Sequence, residues 1–354
     1  MFPWIIFIYH TFFSLLYWRY SLSHSADAAR YFSAVNKVTP FKIGTGFIEW
    51  LVNRLYAIFS GSYLDYFFLF TLPGFIGLCL LYRIIIDTIP FELPRRVQLA
   101  AILFVMLPGM NFWTSAIGKD STIFLGIMLF IWGMVMPFRR VPALMAGMLV
   151  VFLIRPHMAA IMGLSLISAL LWSKRVSWAL RIIGLSAITL LIVVMLPTIT
   201  NYIGISSTNP SDVVDYIESR QGQNMEGGSS VNISQYPLYL QVFTYLYRPL
   251  FIDANSALAL VVSLENLLWL YGSLLLLTAA FRNVVKNHYN SLFIYFNIFY
   301  VMFGTIVLAT TTPNLGIAIR QKTMLLPSLG LLILMTYAVR LREKMSIQSN
   351  NTSI

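Results

Sequence analysis

The chain has 354 residues, of which 58% are hydrophobic and 10% charged, and its mean hydropathy is +0.76. That balance lies outside the range of soluble globular domains. The net charge of +11 would suit nucleic acid, but the basic residues stand in pairs at the ends of apolar segments, which is a pattern of membrane topology and argues for no nucleic-acid partner. A single cysteine, Cys79, excludes an intrachain disulfide and any cysteine-built metal site.

A bilayer-spanning helix needs roughly 20 mainly apolar residues. About ten segments meet or approach that: 2–18, 63–82, 97–116, 121–137, 142–154, 158–173, 177–199, 256–280, 291–310 and 323–339. The first carries neither a basic leader nor a small-residue cleavage site, so it is expected to be a retained helix. The expected fold is therefore an all-α polytopic integral membrane protein, one membrane domain over 1–354, with about ten transmembrane helices. Alternate connections receive 13 Lys or Arg, from Arg83, Arg95 and Arg96 through Arg139-Arg140, Lys174, Arg175, Arg181, Arg282 and Lys286 to Arg340, Arg342 and Lys344. The acids there are Asp87, Glu92 and Glu343. By the positive-inside rule this face is cytoplasmic and both termini lie on it.

The opposite face holds the long connections. The first external loop, 19–62, contains Asp27 and Tyr31 and then a run in which Phe47, Leu51, Leu55 and Ile58 recur at helical spacing. This predicts a helix lying in the interface on that apolar stripe. Asp27 is placed to act as a base or to orient an acceptor hydroxyl, and the plain alternative is a helix cap or a surface acid. The large external loop, 200–254, is the long polar interval of the chain, with turns at Asn209-Pro210-Ser211 and Gly227-Gly228-Ser229-Ser230. Its glycine and serine content favours a mobile segment.

Outer turns are expected to be poor in Lys and Arg, yet these hold Lys119, Arg155, Arg248, Arg320 and Lys322. A cation at membrane depth is costly without a partner, so the set points to an anionic ligand. The alternative is pairing with acids: Lys119 with Asp120, Arg248 with Asp253, and the rest with Asp212, Asp215, Glu218 or Glu226. Arg155, Arg320 and Lys322 have no acid close in sequence. Asp120 or Ser121 is expected to cap the next helix, leaving its positive end and Lys119 facing outward. Arg155-Pro156-His157 forms a tight turn, in which His157 serves as a general base, as an acceptor-binding group or as a hydrogen-bonded structural residue. Glu265, with Asn266 and Ser263 beside it, falls near the middle of its helix and must face the interior, either as a proton-relay acid or as a polar staple.

Together, Asp27 with Tyr31, Trp113 to Lys119-Asp120, Arg155-Pro156-His157, Arg248 with Asp253, Glu265-Asn266 and Arg320-Gln321-Lys322 resemble the bacterial surface-polysaccharide repeat-unit polymerases, which make O-antigen or exopolysaccharide, and the wider C-type membrane glycosyltransferases. The resemblance covers most of the chain as an architecture, and its motifs are short. It implies an active site facing the periplasm or exterior of the bacterial inner membrane, a polyprenyl-diphosphate-linked oligosaccharide as donor, membrane lipid as surroundings, and a chain-length regulator or flippase as protein partner. It also implies a glycosidic bond formed without a nucleotide sugar. Asp27 matches the catalytic acid of that pattern in position. Ala28 follows it where a second acid often stands, so a metal-independent reaction with no cofactor is expected. On this reading Arg155, Arg248 and Arg320 clamp the diphosphate, Lys119 and Lys322 assist, and Asp27 or His157 accepts the proton of the attacking hydroxyl. Asp120, Asp253 and Glu265 are further candidates. A flippase of lipid-linked oligosaccharide competes, favoured by Glu265 and by Pro73-Gly74 and Pro108-Gly109 as hinges. A transferase adding one sugar to a finished glycan is the third reading.

Overall fold

The computed structural model describes residues 2–24, 26–89, 94–174, 176–203, 210–224, 230–233, 235–254 and 256–352. Ser25, Glu92, Arg175, Asn209, Glu226, the Gly227-Gly228-Ser229 turn and the side chain of Asp212 lie outside the described residues. Helices dominate: α1 (Phe2–Ser21), α2 (Asp27–Phe32), α3 (Thr45–Ile58), α4 (Tyr63–Thr88), α5 (Arg95–Val105), α6 (Pro108–Trp113), α7 (Lys119–Val135), α8 (Val141–Ile154) and α9 (Pro156–Trp172). They continue as α10 (Trp178–Ile203), α11 (Pro210–Asn224), α12 (Leu238–Tyr247), α13 (Ala257–Ser273), α14 (Ala279–Asn287), α15 (Ser291–Thr311), α16 (Leu315–Gln321) and α17 (Leu326–Thr352). Among the described residues extended pairing is confined to one bridge, Ser230 with Asn314.

All ten apolar segments contain helix, but 97–116 breaks between α5 and α6, 256–280 continues past α13 as a 3-10 turn, and 323–339 is helical in α17 only from Leu326. Among the described residues, four stretches suffice by length and composition to cross a membrane: Tyr63–Thr88, Arg95–Trp113, Leu258–Leu277 and Ser291–Thr311. A fifth is added if Leu315–Met324 and Leu326–Ser346, bent by 63°, count as one span. The chain is thus a membrane protein. Several expected spans are shorter; α8 has 14 residues, about 21 Å at ~1.5 Å per residue, against a hydrocarbon core of about 30 Å.

Two compact units share the chain. Unit 1 comprises Met1–Leu81, Met106–Gly163 and Thr189–Ser219, and unit 2 comprises Tyr82–Val105, Leu164–Ile188 and Arg220–Ile354. In unit 1, α7 and α8 form the main hairpin and α1 packs on α6. Gly126 and Gly147 permit the close α7–α8 approach, since a Cβ on Gly147 would come within 2.6 Å of the Gly126 carbonyl. In unit 2, α15 and α17 pack together, α12 lies along α15, and α14 lies along α17.

The connections 19–62 and 200–254 both form helices. Helix α3 turns Ile48 and Val52 fully into the protein and leaves the Phe47, Leu51, Leu55 and Ile58 stripe more accessible, Ile58 being 86% exposed. The reason is that α3 packs on the segment 33–36 and on α8. Asn53 turns toward the same neighbour and donates to the carbonyls of Ala34, Val35 and Lys37 at 3.2, 3.4 and 3.0 Å. The large loop 200–254 is mostly helix, since α10 runs to Ile203 and α11 and α12 follow. Its return arm is pinned: Val231 N donates to Pro313 O at 2.7 Å and Gln221 Nε2 to Thr310 O at 2.7 Å.

Candidate functional site

In unit 1 the residues singled out above meet where α2, α3, α7 and the α8–α9 break converge. Helix α7 starts on Gly118, at φ +140, with no side-chain cap. Asp120 and Ser121 are therefore not its caps. Ser121 Oγ instead donates back to Ala116 O at 3.0 Å. Gly118 is required twice over, because its φ is one that side chains rarely adopt and a Cβ there would sit 2.7 Å from Tyr31 Cε2. Tyr31, wholly buried, thereby ties α2 to the start of α7.

Asp120 turns inward and is 8% exposed. Arg155 is one of its partners, with Nη2 3.5 Å from Asp120 Oδ1. Lys119 Nζ donates to Thr45 Oγ1 at 2.8 Å, at the first residue of α3. A backbone bond fixes α3 there as well, from Gly44 N to Leu153 O at 2.8 Å. Arg155 occupies the break between α8 and α9 because Pro156 cannot donate and disfavours helix before it. The expected three-residue turn is a one-residue interruption. The Arg155 guanidinium is buried, and among the described residues its Nε has no hydrogen-bond partner. His157 follows in the first turn of α9, half-buried.

Asp27 opens α2, half-buried, 3.9 Å from Arg30 Nη1. Arg30 Nε also faces Glu49 of α3 at 3.8 Å. Arg30 is largely exposed, so these are weak surface contacts. Between α1 and α4 lies a cavity of about 430 Å³ lined by Phe7, Phe59, Phe68, Leu69 and Leu72, with Asp65 among its lining residues.

The remaining candidates belong to unit 2. Arg248 and Asp253 form a two-point pair, Nε to Oδ2 at 3.0 Å and Nη2 to Oδ1 at 2.6 Å, and Leu250 N donates to the same carboxylate at 2.9 Å. These bonds, led by that from Arg248, hold the Asp253 carboxyl below the usual carboxylate range. The Arg248-Pro249 peptide is cis. Lys322 does not stand free above the bundle: it is 3% exposed and donates to Asn266 Oδ1 and, at 3.3 Å, to Leu246 O. Its charge thus sits at the C-terminal end of α12, where a helix dipole favours a cation. Asn266 Nδ2 donates in turn to Pro249 O at 2.8 Å. Glu265 faces the interior as expected, 9% exposed, and interacts electrostatically with Lys322. Arg320 closes α16, half-buried.

Comparison with protein families, with curated proteins and with solved structures finds no match to this chain.

A polar seam in unit 1 escaped the sequence reading. His10 Nδ1 lies 3.2 Å from Asn111 Oδ1, Thr71 Oγ1 donates to Ser14 Oγ at 2.7 Å, and Ser14 Oγ donates to Ser115 O at 3.2 Å. All five residues are essentially inaccessible. Gly74 serves this seam, since a Cβ there would meet His10 Nε2 at 2.5 Å. The available signal was a histidine placed mid-way in an apolar run.

Proposed function

We propose that this chain is a membrane glycosyltransferase of the polymerase type, joining polyprenyl-diphosphate-linked oligosaccharide units at the external face of a bacterial inner membrane. The reading takes ten crossings, cytoplasmic termini and external loops at 19–62 and 200–254. One observation carries it: Arg155 is a buried cation with a single long contact to Asp120 and an unpartnered Nε. Leaving a buried donor unmade costs about 1–3 kcal/mol, and a phosphate oxygen would supply the bond. Arginine's planar fork suits phosphate oxygens in particular.

On this reading Arg155 and Lys119 hold the donor diphosphate, and the apolar cavity between α1 and α4 takes part of the polyprenyl chain. The bond from the anomeric carbon to the diphosphate oxygen breaks, and the acceptor hydroxyl oxygen forms the new bond to that carbon. The hydroxyl proton passes to Asp27 or His157, and the electron pair leaves with the diphosphate, whose growing charge Arg155 stabilises. The pairing of Arg248 with Asp253 and the engagement of Lys322 favour a structural role for those two cations.

The test is a gel of surface glycan from a strain lacking the gene, beside strains complemented with the wild type, Arg155→Lys and Arg155→Ala, with membrane levels of each protein checked. A single repeat unit without a ladder in the deletion and in Arg155→Ala is the expected result. A full ladder from Arg155→Ala at normal protein level refutes the diphosphate role. A ladder of altered mobility in the deletion indicates single-sugar transfer, and loss of all surface glycan with lipid-linked repeats held inside indicates a flippase.

A further inference from the structure

In unit 2 a cavity of about 240 Å³ lies among the end of α4, helix α14 and the middle third of α17. At ~30 Å³ per water this is room for about eight waters, the scale of a headgroup rather than of an acyl chain. Its walls are fixed by side chains from the α14–α15 turn. Asn290 N donates to His288 Nδ1 at 3.1 Å, so Nε2 carries the proton and donates to Thr88 O at 2.9 Å. Tyr289 OH donates to Asp87 O at 2.8 Å. Together these bonds satisfy carbonyls of the last turn of α4 that the helix itself leaves open.

The lining divides by chemistry. Val284, Met335 and Val339 supply apolar surface, whereas Arg342 and Glu343 bring a guanidinium and a carboxylate to the same cavity. Asn283 Nδ2 donates to Glu343 Oε1 at 2.7 Å, which positions the carboxylate and uses one of its roughly four acceptor sites. On the same helices, next in sequence to lining residues, are the exposed Arg282, Lys286, Arg340 and Lys344, basic residues of the kind that the positive-inside rule assigns to the cytoplasmic leaflet.

We infer that this cavity seats the headgroup of a phospholipid bearing both a phosphate and a primary ammonium. The phosphate lies on Arg342, the ammonium donates to Glu343, and the glycerol end rests on Val284, Met335 and Val339. Opposite charges in one cavity match a zwitterion better than a simple anion, because an anionic headgroup would be repelled by Glu343 and would leave it without a partner cation. A quaternary ammonium has no hydrogen to donate, so phosphatidylcholine satisfies only the Arg342 half of the seat.

The test uses the full chain in nanodiscs of phosphatidylcholine alone, or with phosphatidylethanolamine or phosphatidylglycerol added, and reads retained lipid by native mass spectrometry. The expected result is about one phosphatidylethanolamine per chain, retained about tenfold over phosphatidylcholine, the order of one charge-assisted hydrogen bond. Glu343→Gln, which still accepts from Asn283, removes that preference. Val339→Trp fills the cavity and loses the bound lipid, while Arg340→Ala, outside the lining, changes nothing. Equal retention of the two zwitterionic lipids, preference for phosphatidylglycerol, or displacement by millimolar inorganic phosphate overturns the assignment. Should Val339→Trp fail to fold, Glu343→Gln decides.

Discussion

Arg155 and Asp120, 35 residues apart in sequence, face each other at 3.5 Å with about one-tenth of each side chain exposed. This buried cation and acid form a structural tie, and on the function proposed above the same guanidinium receives an anion.

Removing one member of a buried pair leaves the other uncompensated. Asp120→Asn is expected to destabilise unit 1 by about 2–4 kcal/mol. Asp120→Asn combined with Arg155→Gln should be less destabilised than the sum of the two single variants. Thermal melts in detergent across the double-mutant cycle measure the difference, and strict additivity would show that the two side chains are not coupled.

Gly118→Ala should be costly for a reason unrelated to charge. The positive φ and the 2.7 Å approach to Tyr31 together predict a loss of about 1–3 kcal/mol. Tyr31→Leu in the same chain should recover only the steric part. A melting temperature for Gly118→Ala equal to the wild type's would refute the strained start of α7.

Lys322 holds Leu246 O and Asn266 in a buried cluster. Lys322→Met removes the donor and strands both acceptors as well as the nearby Glu265. We expect about 2–4 kcal/mol of destabilisation, with part of the loss returned by adding Glu265→Gln. A Lys322→Met chain that is as stable as the wild type would instead favour a ligand-facing role for this cation.

The Arg248–Asp253 pair sets a pH dependence. Because the folded Asp253 carboxyl is held below its ordinary value, its contribution is fully present above the unfolded value of about 3.9. It is lost as pH falls from there through the lower folded value. The melting temperature of wild type should therefore drop toward that of Asp253→Asn as pH is lowered below about 4. A gap between the two that stays constant over that range would rule out the linkage.

The sequence by itself determined the helices. Long apolar runs can satisfy their backbone in a bilayer only as helix, so each of the ten segments contains helix, although 97–116, 256–280 and 323–339 are interrupted, and Pro156 marked the α8–α9 break. The inward Glu265 followed from the same cost of exposing charge to lipid. What tertiary structure alone decided were the partners and the faces. Asp120 found Arg155 because α7 and α8 pair as a hairpin, and Lys119 found Thr45 because a backbone bond fixes the entry to α3. Lys322 went inward because α12, from a segment that reads as polar loop, lies along α15. Helix α3 turned Ile48 and Val52 to the protein because segment 33–36 and α8 pack on that side. These outcomes depend on contacts between residues distant in sequence, which local hydropathy and spacing do not encode.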